Sequence, residues 1–299
     1  PPKALPTISG GTKYPKPRWR GTLLVLDLAA RARGDRPHTK LSLALTTLGG
    51  IMPTPVQPIR PAATVIVVRE APSSYEIFML KRTSKASFAS DMYVFPGGRV
   101  DPDDHLHKYD AFRHGPTDAQ AAQVKALGDE WRGFWIAAIR ETFEEAGLLL
   151  AYDESGMLIS FDDEQTHERF AAYRDPLHDG EVSLLDICQR ESLRLAVDHV
   201  HFYNRFITPL GRPRRFDTRF FIASAPESQR GSHDAQETVD SIWVTPQQAL
   251  ERHAAGEFDL MNVTRIQLEW LAQYAQKQAL LDMSQANQTF PVRRPVLPK

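Results

Sequence analysis

The sequence predicts an α/β chain in which a mixed β-sheet is covered by helices on both faces. Three observations carry this. Residues 62–95 hold runs rich in β-branched and aromatic side chains, separated by short turns. Residues 129–146 place apolar side chains at helical spacing. Strands and helices then interleave to the end of the chain, the pattern of a layered domain.

In order, AATVIVVRE, YEIFMLKRT and MYVF read as the first strands, with a Pro/Ser turn between the first two. FPGGRVDPDD is a strand end running into a paired-glycine turn, and a polar, His-containing stretch follows to Gly128. DEWRGFWIAAIRETFEEA reads as one long helix that Gly147 closes as a C-cap. LLLAYD reads as a strand, 163–174 and 181–200 as helices, and RFDTRFFIA and SIWVTP as strands. PQQALERHAAG and NVTRIQLEWLAQYAQKQ are the closing helices. The expected division is a basic, Pro-containing extension over 1–60, a folded domain over 61–285 and a tail over 286–299.

The totals, 36 basic against 37 acidic residues, point to neither nucleic acid nor an anionic membrane as a partner. Residues 1–60 differ, with ten Lys or Arg and only two Asp. That zone is Arg-rich and acid-poor, as transit peptides are, but its prolines at 1, 2, 6, 15 and 17 oppose a single amphipathic helix. The expected location is cytoplasmic, with a mitochondrial or other organelle address as the alternative. One cysteine, Cys188, excludes an internal disulfide and a cysteine-cluster metal site. The apolar runs fall short of the roughly 18 to 20 residues that span a bilayer.

The stretch RETFEEAG, Arg140–Gly147, poses a physical problem. At about 100° per residue, Glu141, Glu144 and Glu145 project within an arc of about 100° from one side of the helix. They repel one another, and they sit where the helix dipole disfavours negative charge. The bland reading is a solvated acidic face with Arg140 as partial counterion. The upstream FPGGRVD changes it, because Gly97 and Gly98 allow close backbone approach to an ion or ligand.

Together these two stretches resemble the signature of the Nudix hydrolases, which reads G, five residues, E, seven residues, RE, a hydrophobic residue, any residue, EE, any residue, G and a hydrophobic residue. Gly98 starts the box, and Arg140, Glu141, Glu144, Glu145, Gly147 and Leu148 match its second half. Asp104 stands where the family has its first Glu, and Thr142 replaces a usual hydrophobic residue. Between Asp104 and Arg140 lie 35 residues where the pattern has seven, an insertion of 28 at about 105–132. An interrupted box resembles the branch that includes the peroxisomal coenzyme A diphosphatase. YNRFITPLGRPRRFDTRFFIASAP, Tyr203–Pro226, resembles that branch's W-x-TP and RRFDTRFF segment, with Phe206 in place of Trp. The coenzyme A signature of another diphosphatase branch would want Arg and Gly where this chain has Ser87 and Asp91.

The resemblance implies a Nudix fold, with a helical insertion and the N-terminal extension added to the mixed sheet sandwiched between helices. It also implies hydrolysis of a diphosphate bond with Mg²⁺ or Mn²⁺. Glu144 and Glu145 are then the principal metal ligands, Glu141 a ligand or water-activating base, and the Gly97 carbonyl a further ligand. Arg140 would hold a glutamate in place. A carboxylate from outside the box is expected to join them, Glu237 first, with Asp234 and Asp240 as competitors. Arg212, Arg214 and Arg215 form a basic cluster suited to a substrate phosphate, with Arg82 and Lys81 as further candidates. The competing reading pairs Arg215 with Asp217 as a structural ion pair. His105, His107 and His114 lie in the insertion and read as solvated loop residues rather than metal ligands, the insertion shaping a cleft wall or a subunit contact, which leaves a homodimer open. The expected substrate is coenzyme A or an acyl-coenzyme A, a small molecule, with ADP-ribose or a dinucleotide as the alternative. A Nudix fold serving as a binding or assembly subunit is the rival from another class.

Overall fold

Alternation along the first strands decides which faces of the sheet are covered. In the structure, a computed structural model, residues 57–295 are described except 85, 87 and 88. The extension up to residue 56 and the residue at position 87 lie outside the described residues. Strand β1, Ile59–Ala71, sends Ala63, Val65 and Val67 to one face and Ile66 and Val68 to the other, and all five are completely buried. Strand β2, Ser74–Arg82, repeats this with Phe78 and Leu80 against Ile77 and Met79. A sheet buried on both sides needs helices on both sides.

The short strands β3, Tyr93–Val94, and β4, Gly97–Arg99, pair with β2 and β1 respectively. A 3-10 turn over Pro102–His105 ends the first half of the box, and the insertion then folds as 3-10 turns over His107–Ala111 and Asp118–Gln120, a short strand β5, Arg113–His114, and helix α1, Ala121–Leu127. Helix α2, Trp131–Ala146, follows, buried from Gly133 to its end. Gly147 closes it in the left-handed conformation, φ 64° and ψ 17°, donating its N–H to Phe143 O at 2.9 Å. Thr142 satisfies its buried hydroxyl by donating to Ala138 O at 2.7 Å, so a polar residue is tolerated where the family pattern has an apolar one.

Strand β6, Ala151–Tyr152, is shorter than LLLAYD suggested. Helices α3, Glu164–His178, and α4, Leu184–Arg190, come next. The helix expected over 181–200 is confined to α4, because Ser192 turns the chain at φ 53° and the following residues extend into β7, Arg194–Ala196, and β8, Val200–Ile207. Strands β9, Arg215–Ser224, and β10, Thr238–Val244, are followed by helices α5, Pro246–Ala254, α6, Asn262–Leu271, and α7, Lys277–Ala286, and by strand β11, Val292–Arg293. The single closing helix expected from Asn262 is thus two. The last strand joins the main sheet beside β8.

The main sheet runs β10-β2-β1-β9-β8-β11. It is mixed, since β1 lies parallel to β9 and antiparallel to β2 and β4. A small sheet, β5-β7-β6, anchors the insertion. One core packs α2 with Phe170 of α3 and Ile187 of α4 on the first face, and the other packs Ala249 of α5, Leu268 of α6 and Leu280 of α7 on the second. Trp135, completely buried in α2, donates its indole N–H to Val200 O at 2.7 Å and locks the helix across β8.

His201 on β8 is buried, its Nδ1 lacks a hydrogen-bond partner, and burial, helped by His199 and opposed by Asp198, pushes its pKa down to about 4. A depressed folded-state pKa means the unfolded chain binds the extra proton first, so stability is full above about 6.5 and is lost as pH falls towards 4. Urea unfolding of wild type and His201→Asn across this window is expected to show wild type losing up to about 3 kcal/mol more than the variant. Parallel curves would refute the assignment.

Candidate active site

The site is organised around the Arg140 guanidinium, which side-chain exposure of 11% places almost out of water. Asp104 meets it in a two-pronged contact, Nε to Oδ1 and Nη2 to Oδ2, both 2.9 Å. Nη2 also donates to the Arg99 carbonyl at 2.9 Å, and Nη1 to Glu141 Oε1 at 3.0 Å and Glu144 Oε1 at 3.1 Å. Asp104 is 1% exposed, so its replacement of the family's Glu is a buried structural partner whose own amide-side contact is the Asp101 N–H at 2.8 Å. Burial alone would lower the Arg140 pKa, but the bonds from Asp104 and the charges of Glu141 and Glu144 reverse this and raise it.

The paired glycines are required by contact. A side chain at Gly98 would stand 2.5 Å from both carboxylate oxygens of Glu141, and one at Gly97, where φ is 152°, would strike Ala63 O at 2.4 Å. The Gly97 N–H donates to Glu145 Oε2 at 2.8 Å. The paired glycines, expected as a turn, lie in strand β4, and β4 and α2 meet at two of the three glutamates. From β2 and the entry to β10, Arg82 donates to Glu237 Oε2 at 2.9 Å, and both groups act on the Glu145 carboxyl, as does Asp234. Tyr93 takes Asp240 by a hydrogen bond of 3.2 Å.

Burial pushes the carboxyl groups of all three glutamates up, Glu141 far above the usual range and Glu145 to about 8. Arg140 opposes the rise at Glu141 and Glu144, and the Gly97 amide and Arg82 oppose it at Glu145. Neighbouring carboxylates add to it, so the cluster holds more carboxyl groups than its own cations can keep ionised. An all-oxygen, charge-rich set of this kind fits a hard divalent cation that retains several waters. Among the described residues no three acidic or imidazole groups are spaced as a finished cage. Arg140 and the Gly97 amide engage one oxygen of each glutamate, which leaves the other for an ion.

The remaining expected residues lie apart. Arg212 and Arg214 are exposed in the turn between β8 and β9. Arg215 is buried and donates to Thr208 O at 3.2 Å and Gln57 O at 3.4 Å, closing its own hairpin. The Arg215–Asp217 pair of the competing reading does not form, because Asp217 takes Arg205, at 2.7 and 2.5 Å, and Arg219, at 2.7 Å. His105 packs on α2 at Gly133, where a Cβ would lie 2.3 Å from its ring, while His107 and His114 are exposed. Hollows of about 600 Å³ beside Tyr152 and Arg194 and about 310 Å³ beside Trp243 and Arg252 include none of the glutamates in their walls. Arg174 of α3 was not singled out in the sequence, yet it donates to the backbone carbonyls of both Glu144 and Glu145 at 3.0 Å. An isolated Arg on an exposed-looking helix carries no local signal for such a contact.

Comparison with known proteins bears on the family and the fold. Residues 110–262, half of the chain, match the family model described as the NUDT19 Nudix domain, so the match takes in α2 and begins downstream of the paired glycines. The chain is similar to the acyl-coenzyme A diphosphatase NUDT19 of Gallus gallus, 29% identical over 66% of this chain and 64% of the relative. The Homo sapiens protein of that name is 25% identical, over 72% and 66%. The chain thus spans just under two thirds of the length of these curated relatives. Among solved structures, a NUDIX hydrolase from Alicyclobacillus acidocaldarius superposes with a TM-score of 0.60 at 25% identity, over 76% of this chain and 96% of that one. The mixed sheet between two helical layers is the Nudix fold, and the chain belongs to the NUDT19 branch of the Nudix hydrolase superfamily.

Proposed function

We propose that the chain hydrolyses the diphosphate bond of an acyl-coenzyme A or of coenzyme A with the help of a divalent cation, releasing a phosphopantetheine product and adenosine 3',5'-bisphosphate. The observation that carries this is the buried cluster of Glu141, Glu144 and Glu145 built around Arg140 and Asp104. A pure scaffold would gain nothing from holding carboxylates together at a helix end against their repulsion. The names of the curated relatives support the substrate class.

Glu144 and Glu145 would hold Mg²⁺ or Mn²⁺, with Glu141 as ligand or base, the Gly97 carbonyl as a further oxygen and Glu237 as the carboxylate from outside the box. When bound, the ion supplies charge stabilisation for the phosphate oxygens and an acidified water. The chain's own part is to keep Glu141 against Gly98 and to keep Arg140 from wandering, which Asp104 does from the far side. Arg82 is assigned to orient Glu237 beside Glu145 as well as to face substrate phosphate. Arg212 and Arg214, exposed on the β8–β9 turn, are the groups available for a distant phosphate, while Arg215 shapes that turn. Arg215 pairs with Ile59, four positions and about 13 Å along β1 from Ala63, the partner of Gly98, so a long substrate is needed to reach both ends.

The first test is hydrolysis of coenzyme A, an acyl-coenzyme A, ADP-ribose and NADH with Mg²⁺, with products identified by mass spectrometry. Turnover confined to the coenzyme A compounds, and lowered roughly 10²- to 10³-fold in Glu144→Gln, is the expected result. Turnover of ADP-ribose or NADH instead would remove the substrate assignment and leave the chemistry. Asp104→Asn is expected to lower stability by about 3 kcal/mol, because it strips a buried guanidinium of its charged partner, and to lower kcat as Glu141 and Glu144 lose their anchor. Denaturant unfolding and steady-state kinetics on the same sample check both.

A further inference from the structure

We propose that Arg174 is a positioning residue that holds the glutamate-bearing end of α2 and the loop carrying Asp234 and Glu237 in one register, so that carboxylates from outside the interrupted box face Glu145. The proposal rests on the reading of Glu144 and Glu145 as ligands of a divalent cation. Arg174 lies on α3, about 30 residues beyond those glutamates. Its guanidinium is forked between two partners. Nε donates to Glu144 O and Nη2 to Glu145 O, both at 3.0 Å, while Nη1 donates to Ser232 Oγ at 2.9 Å and Nη2 also to Ser232 O at 3.0 Å. The contact is doubled by the backbone, since Ser232 N–H donates to Ala146 O at 2.8 Å.

Those acceptors are last-turn carbonyls of α2, which have no partner within the helix and carry the negative end of its dipole. A planar fork fits two such carbonyls and a loop residue at once, which a lysine cannot do. Gly147 leaves room for the approach, since a Cβ there would crowd Nη1 at 3.1 Å. Two residues past Ser232, Asp234 directs one oxygen into its own turn, accepting from Gln236 N–H at 3.0 Å and from Thr238 N–H and Oγ1 at 2.9 and 2.7 Å. Its other oxygen, Oδ2, is buried without a partner. Glu237 is steered from the opposite side by Arg82. The loop is therefore pinned at Ser232 and at Glu237, with an unsatisfied carboxylate oxygen between the pins.

A positioning role and a charge role have opposite signs. Removing a cation beside Glu145 and Asp234 makes the potential there more negative, which by itself tightens divalent binding. Losing the fork lets the loop and the helix end separate, which loosens it. The experiment is Mn²⁺ binding to the full chain without substrate, read from the free-ion electron paramagnetic resonance signal, for wild type, Arg174→Met, Arg174→Lys and Ser232→Ala. It is paired with hydrogen exchange of the Ser232 amide. Positioning predicts roughly 10- to 100-fold weaker Mn²⁺ binding in Arg174→Met, no restoration by Arg174→Lys, a smaller loss in Ser232→Ala and faster exchange at Ser232 in both Arg174 variants. Tighter binding in Arg174→Met, or full restoration by lysine, would overturn the proposal in favour of charge alone. A lowered Tm with unchanged Mn²⁺ affinity would overturn it in favour of fold stability alone. If wild type binds no Mn²⁺, or Glu144→Gln binds it equally well, the metal reading itself falls, an outcome distinct from the other two. Ser232→Ala keeps Arg174 in place, so the comparison survives if Arg174→Met fails to fold.

Discussion

A guanidinium that is almost out of water cannot stand alone, and the rest of the site follows from satisfying the one on Arg140. Its five donors reach Asp104, the Arg99 carbonyl, Glu141 and Glu144, groups contributed by a 3-10 turn, a sheet strand and the helix itself. Each would be costly to leave unpaired, so the three elements are obliged to converge. This explains how a box can be split by 28 additional residues and still assemble. Asp104 ends the first half and Arg140 begins the second, and their direct contact closes the insertion as a loop whose entropy grows only slowly with length.

The insertion is fastened to the helix that follows it. Asp110 accepts from Arg132 at the start of α2 as well as from Arg113, His105 lies on Gly133, and β5 joins the small sheet. Additional chain therefore thickens the wall around α2 without lengthening the path between the two halves of the site. At its other end α2 carries negative charge where its dipole disfavours it. The compensation comes from outside the box: the Gly97 amide and Arg82 act on Glu145, and Arg174 takes the terminal carbonyls. The carboxyl groups left without a full complement of cations are what suit the cluster to a divalent ion.

Local pattern was enough for much of this. The strand-forming composition of β1 and β2, the helical period of 131–146 and the stop at Gly147 were readable because each depends on neighbours within one or two turns of chain, whereas the paired glycines, expected as a turn, form β4 against β1. The three glutamates on one side of α2 followed from helix geometry alone. Where two periods compete over a short stretch, the reading failed. Residues 181–200 mix apolar side chains at both spacings, and a positive φ at Ser192, with pairing of β7 between β5 and β6 and of β8 with β9, settled them as a short helix followed by strands.

By itself the sequence determined the class of fold and the helix that carries the carboxylates, since periodicity and residue type are local properties, while the chemistry of those carboxylates was implied by the resemblance to the Nudix signature. Only the tertiary structure decided which cations and acids meet. Asp104 with Arg140, Arg82 with Glu237, Asp217 with Arg205 and Arg219, and Arg174 with the end of α2 are choices among many charged residues. The Arg82–Glu237 and Arg140–Asp104 partners stand 155 and 36 positions apart in the chain. A charge has no preferred partner along the chain. It acquires one when burial removes water and leaves a single geometry in which its hydrogen bonds are met.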